Sequence, residues 1–329
     1  MNWRKQKVLV TGGSGFIGSH LTERLAALGA ELTVLQEYTS HNDPGSLKFL
    51  PKSVLSGIKL VPGDLRDPDV LKKAVRKQDV IFHLGALVSI PYSYANPEEV
   101  FQVNALGTLN LLLEARDSGA RKIVIVSTSE VYGTAIYAPI DEKHPLQAQS
   151  PYSASKIAAE KLAESFHNTY GLPVAVIRPF NAYGPRQSDR AIIPTIIIQA
   201  LKSKVIKLGS LAPRRDLNYV GDTVDGFIKT AESPRSVGDV LNIGSGRDVS
   251  VGELARMILS IMGREAKIVT TSSRKRPHKS EVLRLLCDNR KARKLIGWKP
   301  RTSLEAGLKS TIAWIKTHPE IYDPDNYRI

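Results

Sequence analysis

Through the first 180 residues, short apolar runs alternate with stretches of helical periodicity. The runs Lys7–Thr11, Glu31–Leu35, Ile58–Val61, Val80–Leu84, Lys122–Ser127 and Val174–Arg178 predict strands. Between them, Gly15–Leu28, Asp69–Arg76, Glu98–Ser118 and Tyr152–Tyr170 repeat apolar residues at helical spacing, and Pro97 and Pro151 stand where a helix can begin. Strand and helix in strict alternation predict an α/β fold with a doubly wound parallel sheet. After Pro185 the rhythm becomes irregular. Turn signals fall at Ala212-Pro213 and Gly244-Ser245-Gly246, and helices are expected at Thr223–Glu232, Val251–Met262 and Ser303–Thr317. This part predicts a smaller C-terminal α/β lobe. The expected division is 1–180 for the sheet domain and 181–329 mainly for the lobe, with some chain crossing back to the sheet and one cleft shared between them.

Composition narrows the class. With 42% hydrophobic and 24% charged residues among 329, the chain is neither disordered nor membrane-embedded. No run of about 18 apolar residues could span a bilayer; Ala191 to Leu201 comes nearest, and Pro194 interrupts it. The residues before Thr11 hold too short an apolar run for a secretory signal, so a cytoplasmic location without membrane association is expected. Cys287 is the sole cysteine, which excludes an intramolecular disulfide and a Cys-based zinc site and predicts a small buried hydrophobe. The net charge of +14 is uneven: residues 1–175 hold 18 Lys and Arg against 17 Asp and Glu, whereas 176–329 hold 28 against 15. A basic lobe attracts phosphates, whether of a nucleic acid or of a small substrate, and an ordinary solvated surface carries the same signature.

Thr11-Gly12-Gly13-Ser14-Gly15-Phe16-Ile17-Gly18 closes the first predicted strand and opens the first helix. In that setting Gly12 and Gly15 permit a tight turn and close approach to a pyrophosphate at the helix N-terminus, and Gly18 lets helix and strand pack closely. The sheet is thus read as Rossmann-type with a dinucleotide cofactor. The acid expected at the end of the second strand is replaced by Gln36, with Glu37 one place late. No cation between Gln36 and Asp43 awaits a 2′-phosphate, so NAD is favoured, with NADP left open. Asp64 in Gly63-Asp64-Leu65 is a candidate adenine contact or a turn carboxylate.

Tyr152-Ser153-Ala154-Ser155-Lys156 sets a phenol and an ammonium four residues apart on one helix face. Deprotonating an ordinary tyrosine at pH 7 costs roughly 4 kcal/mol, which a nearby cation such as Lys156, helped by a positive nicotinamide, is expected to lower. The glycine loop, Phe82-His83-Leu84-Gly85-Ala86, Asn104-Ala105-Leu106-Gly107-Thr108, the Tyr/Lys pair and Arg178-Pro179-Phe180-Asn181-Ala182-Tyr183-Gly184-Pro185-Arg186 follow one another in a familiar order. Over almost its whole length the chain resembles the extended short-chain dehydrogenases, the NAD-dependent epimerase/dehydratase family. Ser127-Thr128-Ser129-Glu130-Val131-Tyr132-Gly133 discriminates within that family. Sugar 4,6-dehydratases and UDP-glucuronate decarboxylases carry an acid at the position of Glu130, and simple 4-epimerases carry small residues. Pro139–Leu146, Arg215–Val220, Ser280–Val282 and Cys287–Asn289 resemble dehydratases feeding legionaminic acid synthesis, and GDP-mannose 4,6-dehydratase is similar at the Thr-Ser-Glu site.

The resemblance implies a 4,6-dehydratase acting on a nucleotide-diphosphate sugar, NDP-GlcNAc foremost. Tyr152 removes the O4 proton, C4 gives hydride to NAD, Glu130 removes H5 as water leaves C6, and hydride returns to C6. Thr128 would bond O4 and Ser129, where some dehydratases carry aspartate, would assist at O6. Cofactor contacts are implied for Gly12, Gly15, Phe16, Ile17, Gly18, Gln36, Asp64, Leu65, Leu84, Gly85, Ala86, Asn104, Ser127, Tyr152, Lys156, Pro179 and Asn181, and substrate contacts for Ser89, Thr128, Asn181, Arg186, Arg215 and Arg276. No metal is expected. His83 and Tyr183 are read as packing or cofactor-lining residues, and Trp298 and Trp314 as core anchors. A homodimer through a four-helix bundle of 98–118 and 152–170 is implied, although Val100, Val103, Leu106, Leu109 and Leu113 could equally face their own sheet. A 4-epimerase and a UDP-glucuronate decarboxylase share every cofactor residue and remain alternatives, and a non-catalytic RNA-binding relative is a remote one.

Overall fold

The computed structural model describes residues 1–41, 43–272 and 277–322. Its strands are β1 (Lys7–Thr11), β2 (Glu31–Gln36), β3 (Lys59–Pro62), β4 (Val80–His83), β5 (Lys122–Val126), β6 (Val174–Pro179), β7 (Asn181–Tyr183), β8 (Val205–Leu208), β9 (Arg214–Tyr219), β10 (Val240–Ile243), β11 (Asp248–Ser250), β12 (Lys267–Thr270) and β13 (Arg284–Leu285). The helices are α1 (Phe16–Ala27), α2 (Lys52–Leu55), α3 (Pro68–Val75), α4 (Ile90–Ala95), α5 (Pro97–Phe101), α6 (Gly107–Arg116), α7 (Pro151–Tyr170), α8 (Ile192–Lys202), α9 (Val220–Glu232), α10 (Val251–Met262), α11 (Arg290–Ile296) and α12 (Leu304–Thr317).

β4 and β5 are buried at every residue, as a parallel sheet covered on both faces requires. Seven strands pair in parallel in the order β10-β6-β5-β4-β1-β2-β3. The order reverses between β1 and β4, which opens a crevice at the strand ends where the Gly12 loop emerges. One face is covered by an apolar cluster that includes Leu21 and Leu25 of α1 and Val224 and Phe227 of α9. The other is covered by α3, α6 and α7, with Leu71, Leu111, Leu112 and Phe166 buried there. A third core holds Ile196 and Ile197 of α8, Ile258 of α10 and Ile312 of α12. Beside it β11, β9 and β13 form a small sheet joined by β7, and β12 pairs β8.

α7 begins where Ser150 and Ser153 cap one another around Pro151 at the first helical position, and it ends at Gly171 in the left-handed conformation. The stretch expected as one helix over 98–118 is α5 and α6 joined by a π turn at Gln102–Leu106. α8 has no counterpart among the helices expected from the sequence, and its Pro194 is compatible with it. The proline lies in the first turn, where its missing N–H is not needed.

Candidate active site

The glycine loop is shaped by close backbone approach. Gly12 has φ +69°, and a Cβ on it would lie 2.8 Å from Gly85 Cα; a Cβ on Gly18 would lie 2.1 Å from the Gly12 carbonyl oxygen. The loop is therefore pressed against Leu84-Gly85 on one side and Gly18 in the first turn of α1 on the other, with Ala86, Phe16 and Ile17 next to these in the chain. Gly15 caps α1 without a side-chain partner for the first amides, the arrangement that receives a phosphate.

Below this loop runs a directed chain of hydrogen bonds. The Gly85 N–H donates to Thr11 Oγ1 at 3.0 Å, and Thr11 Oγ1 and His83 Nδ1 lie 2.8 Å apart. His83 Nε2 lies 3.0 Å from Thr108 Oγ1, whose proton is committed to the Asn104 carbonyl at 2.6 Å. Thr108 Oγ1 must therefore accept from Nε2–H, which leaves Nδ1 to accept from Thr11 and fixes one neutral tautomer. Burial, with Lys156 nearby, pushes the imidazole down to about 3, so this tautomer persists at neutral pH. Asn104 continues inward from the π turn: Oδ1 accepts from Leu87 N–H at 2.8 Å, and Nδ2 donates to the Leu87 carbonyl at 3.0 Å and to Ser155 Oγ at 2.9 Å. Sequence reasoning missed Thr11, Thr108 and Ser155 in this chain, although Thr11 and Thr108 stand at the edges of the two quoted motifs.

Tyr152 and Lys156 lie buried on the inner face of α7. Lys156 Nζ donates to the Val126 carbonyl at 2.8 Å. Burial pushes the ammonium down to about 8, and Glu160, one turn on, opposes the shift. The Tyr152 phenol is raised by burial above all, is hydrogen-bonded to Thr128, and is raised further by the charge of Glu130. The contact with the Thr128 hydroxyl favours the phenolate, against burial and the Glu130 charge, and the resting phenol holds its proton. Thr128 Oγ1 also accepts the Glu130 N–H at 3.2 Å, opening a 3-10 turn at Ser129–Tyr132 in which Ser129 and Glu130 are buried. Thr128, Glu130, Tyr152 and Lys156 are thus brought together.

Several polar atoms in the crevice are buried without a partner in the protein: Gln36 Oε1 at the end of β2, Ser127 Oγ at the end of β5 and Asn181 Oδ1 just after β6. Pro179 is buried at the end of β6 and Leu65 in the loop after β3. Acceptors of this kind fit the hydroxyls of a dinucleotide ribose. Asp64 is less available than expected, since Arg66 Nε and Nη2 hold its carboxylate at 3.0 and 2.5 Å. Ser89 spends its hydroxyl capping α4, accepting from Tyr92 N–H at 3.2 Å. Arg186 turns to α1, where its guanidinium donates to Glu23 at 2.8 Å and lies 5.8 Å from the Trp314 ring. Arg215 donates to Glu281 at 3.2 Å, and Arg276 lies outside the described residues. Cys287 is a buried free thiol, and Trp298 is wholly buried and donates to the Asp222 carbonyl at 2.9 Å.

Residues 9–311 match the family model described as GDP-mannose 4,6 dehydratase. The chain belongs to that family. Among extended short-chain dehydrogenases its relatives catalyse different reactions on nucleotide sugars. It is 33% identical over 317 residues to a putative UDP-glucose 4-epimerase of Methanocaldococcus jannaschii, covering 94% of this chain and 99% of the relative. It is 32% identical to the UDP-N-acetyl-alpha-D-glucosaminuronate decarboxylase of Bacillus cytotoxicus, covering 95% and 98%. The crystal structure of DesIV, the dTDP-glucose 4,6-dehydratase of Streptomyces venezuelae with NAD and TYD bound, superposes with a TM-score of 0.86 at 30% identity over 97% of this chain and 99% of that one. The family's members are dehydratases, epimerases and decarboxylases of nucleotide sugars. Among the described residues no helix is long and apolar enough to cross a membrane, and no group of His, Cys, Asp and Glu could hold a metal ion.

Proposed function

We propose that this enzyme is an NAD-dependent nucleotide-sugar 4,6-dehydratase, a lyase that converts an NDP-hexose, NDP-GlcNAc foremost, to its 4-keto-6-deoxy derivative. The observation that carries the reading is the buried Glu130 carboxylate, close enough to the Tyr152 phenol to raise its proton affinity. A 4-epimerase needs one acid/base group, at O4. A dehydratase needs a second, because a C4 ketone acidifies the proton on C5 and that proton has to be taken.

When bound, NAD supplies reversible hydride acceptance, from C4 at the start of the cycle and back to C6 at its end. The chain's own residues handle the protons. Tyr152 takes the O4 proton, with the Thr128 hydroxyl and the Lys156 cation favouring the phenolate. Glu130 takes H5 and returns a proton as the C6 hydroxyl leaves as water, with Ser129 beside O6, and a proton equivalent to the one Tyr152 took from O4 passes to C5 as the hydride comes back to C6, which resets both groups. The unpartnered Gln36, Ser127 and Asn181 oxygens would hold the dinucleotide's hydroxyls, and the α1 N-terminus its pyrophosphate. A neutral Gln36 with no cation up to Asp43 favours NAD over NADP. We place the enzyme in the cytoplasm as a homodimer, without nucleic acid or membrane as a partner.

The test is incubation with UDP-GlcNAc, GDP-GlcNAc, UDP-glucose and GDP-mannose, following product mass without added cofactor. Loss of one water from one of them names reaction and substrate. An unchanged mass with an inverted C4 favours the second reading, a 4-epimerase, for which the M. jannaschii relative and the missing acid at Ser129 speak. With UDP-glucuronate as a fifth substrate, loss of carbon dioxide would make it a decarboxylase. Within the dehydratase reading, Glu130→Gln abolishes dehydration and leaves the NAD dissociation constant unchanged; a variant that still releases water sinks the assignment.

A further inference from the structure

Behind the Tyr152/Lys156 face of α7 lies a group of buried polar side chains that the reaction above does not use. Both carboxylate oxygens of Glu160 accept from Arg178, from Nε at 2.9 Å and from Nη2 at 2.5 Å. Arg178 Nη1 donates to the Tyr132 hydroxyl at 2.7 Å, and that hydroxyl donates onward to Asn242 Oδ1 at 2.7 Å. Asn242 in turn donates from Nδ2 to the Ile140 carbonyl at 3.1 Å, and its backbone N–H donates to Glu142 at 2.8 Å. The side chains of Arg178 and Glu160 are 5% and 4% exposed, and the guanidinium carbon lies 4.8 Å from the Tyr132 ring centre.

A buried ion pair contributes little net stability, because desolvation offsets most of its attraction. What a planar, bidentate fork with a third bond does supply is a fixed relative placement of the elements it joins. Those elements carry the proposed chemistry. Tyr132 stands in the same 3-10 turn as Glu130, Glu160 follows Lys156 by one turn of α7, and Arg178 lies in β6 just ahead of Asn181. Between Tyr132 and Pro151 the chain has no helix or named strand, so the distance from Glu130 to Tyr152 is set by contacts across the fold rather than by the chain that joins them.

We propose that Tyr132, Arg178 and Glu160 are a positioning unit that sets the spacing between the Glu130 carboxylate and the Tyr152/Lys156 pair. The inference rests on the reading of those three residues as the acid/base groups. Glu160 has a second effect: its charge favours the Lys156 cation against burial. The other titratable groups around that ammonium are Tyr152 on its own helix, His83 from β4 and, across the phenol, Glu130.

Tyr132→Phe keeps the ring in the core and removes only the hydroxyl that links Arg178 to Asn242. It is expected to lower kcat about tenfold, since small misplacements of reacting groups carry penalties of that order or more, with KM and the NAD dissociation constant unchanged. Glu160→Gln is expected to lower kcat and also to move the alkaline limb of the kcat–pH profile to lower pH, while Tyr132→Phe leaves that limb in place. Wild-type kcat in Tyr132→Phe, or an unmoved limb in a folded Glu160→Gln, overturns the proposal. Should Glu160→Gln not fold, the Tyr132→Phe result decides alone. Tyr152→Phe serves as the control: if it still turns over, the catalytic reading has failed, whereas an inactive Tyr152→Phe beside an unimpaired Tyr132→Phe removes the positioning unit only.

Discussion

Lys156 is a cation kept where cations are disfavoured. Burial brings its ammonium down to about 8 from an ordinary 10.5, against the pull of Glu160. Its charge is the one the Tyr152 phenolate needs, so turnover should fall as pH rises through about 8, with the slope of a single proton. Stability should move the other way. The lysine of the unfolded chain keeps its proton up to about 10.5, so between the two values the unfolded state binds more protons and the contribution of Lys156 to stability grows with pH. Measuring kcat and the urea midpoint over the same alkaline range separates titration from unfolding. A kcat that stays level there would show that the Lys156 charge plays no part. His83 makes the opposite case: its network consumes the neutral ring, so it holds the crevice floor without titrating near neutral pH.

Between elements, the same accounting of donors explains how the small sheet is fastened to the large one. Asp216 of β9 is fully buried and accepts from Ser245 N–H at 2.7 Å, Ser245 Oγ at 2.6 Å, Gly246 N–H at 2.8 Å and Cys287 N–H at 3.1 Å. One carboxylate thereby ties β9 to the loop after β10 and to the chain leaving β13. In Asp216→Asn an amide group would face donors on every side, leaving buried N–H groups unpaired, and urea unfolding should show a loss of roughly 2–4 kcal/mol. A loss under about half a kcal/mol, the scale of an ordinary surface change, would mean that the loops close without it. Such ties are where sequence reading ran out. The first six strands and the longer helices of the first half were legible because apolar runs alternate there with helical periodicity, and Pro151 and Gly171 mark both ends of α7, whereas the short α2 and α4 carry too few residues to show a period. β10 was missed because it lies beyond residue 185, outside the strand–helix alternation that marks the strands of the first half. The π turn in 102–106 was missed because one extra residue per turn leaves the apolar spacing almost unchanged. At the site, Tyr152, Lys156 and Glu130 were visible through local spacing and motif. Arg178, Tyr132 and Asn242 meet only through the order of β5, β6 and β10, which no local spacing encodes.

At the scale of the whole molecule, the run from α5 to α6 divides its apolar residues between two destinations. Val100 is wholly buried and Val103 and Leu109 pack inward, while Phe101, Leu106 and Leu113 are 46%, 44% and 40% exposed. Leu106 and Leu113 are seven residues apart, two turns on one side of a helix. Apolar side chains in that register, beside a helix as long as α7, are what a helix-bundle contact between two copies would cover. The charge distribution permits it: the excess of +14 is concentrated beyond residue 175, so the 97–116 face is not where copies would repel. We therefore expect a dimer whose mass in light scattering is insensitive to salt, because apolar burial rather than ion pairing holds it. Leu106→Glu with Leu113→Glu should yield a monomer that still binds NAD, since the crevice residues lie on strand ends and on inward faces. A wild-type protein that is monomeric at micromolar concentration, or a double variant that remains dimeric, would place the interface elsewhere and leave these leucines as surface residues of a single chain.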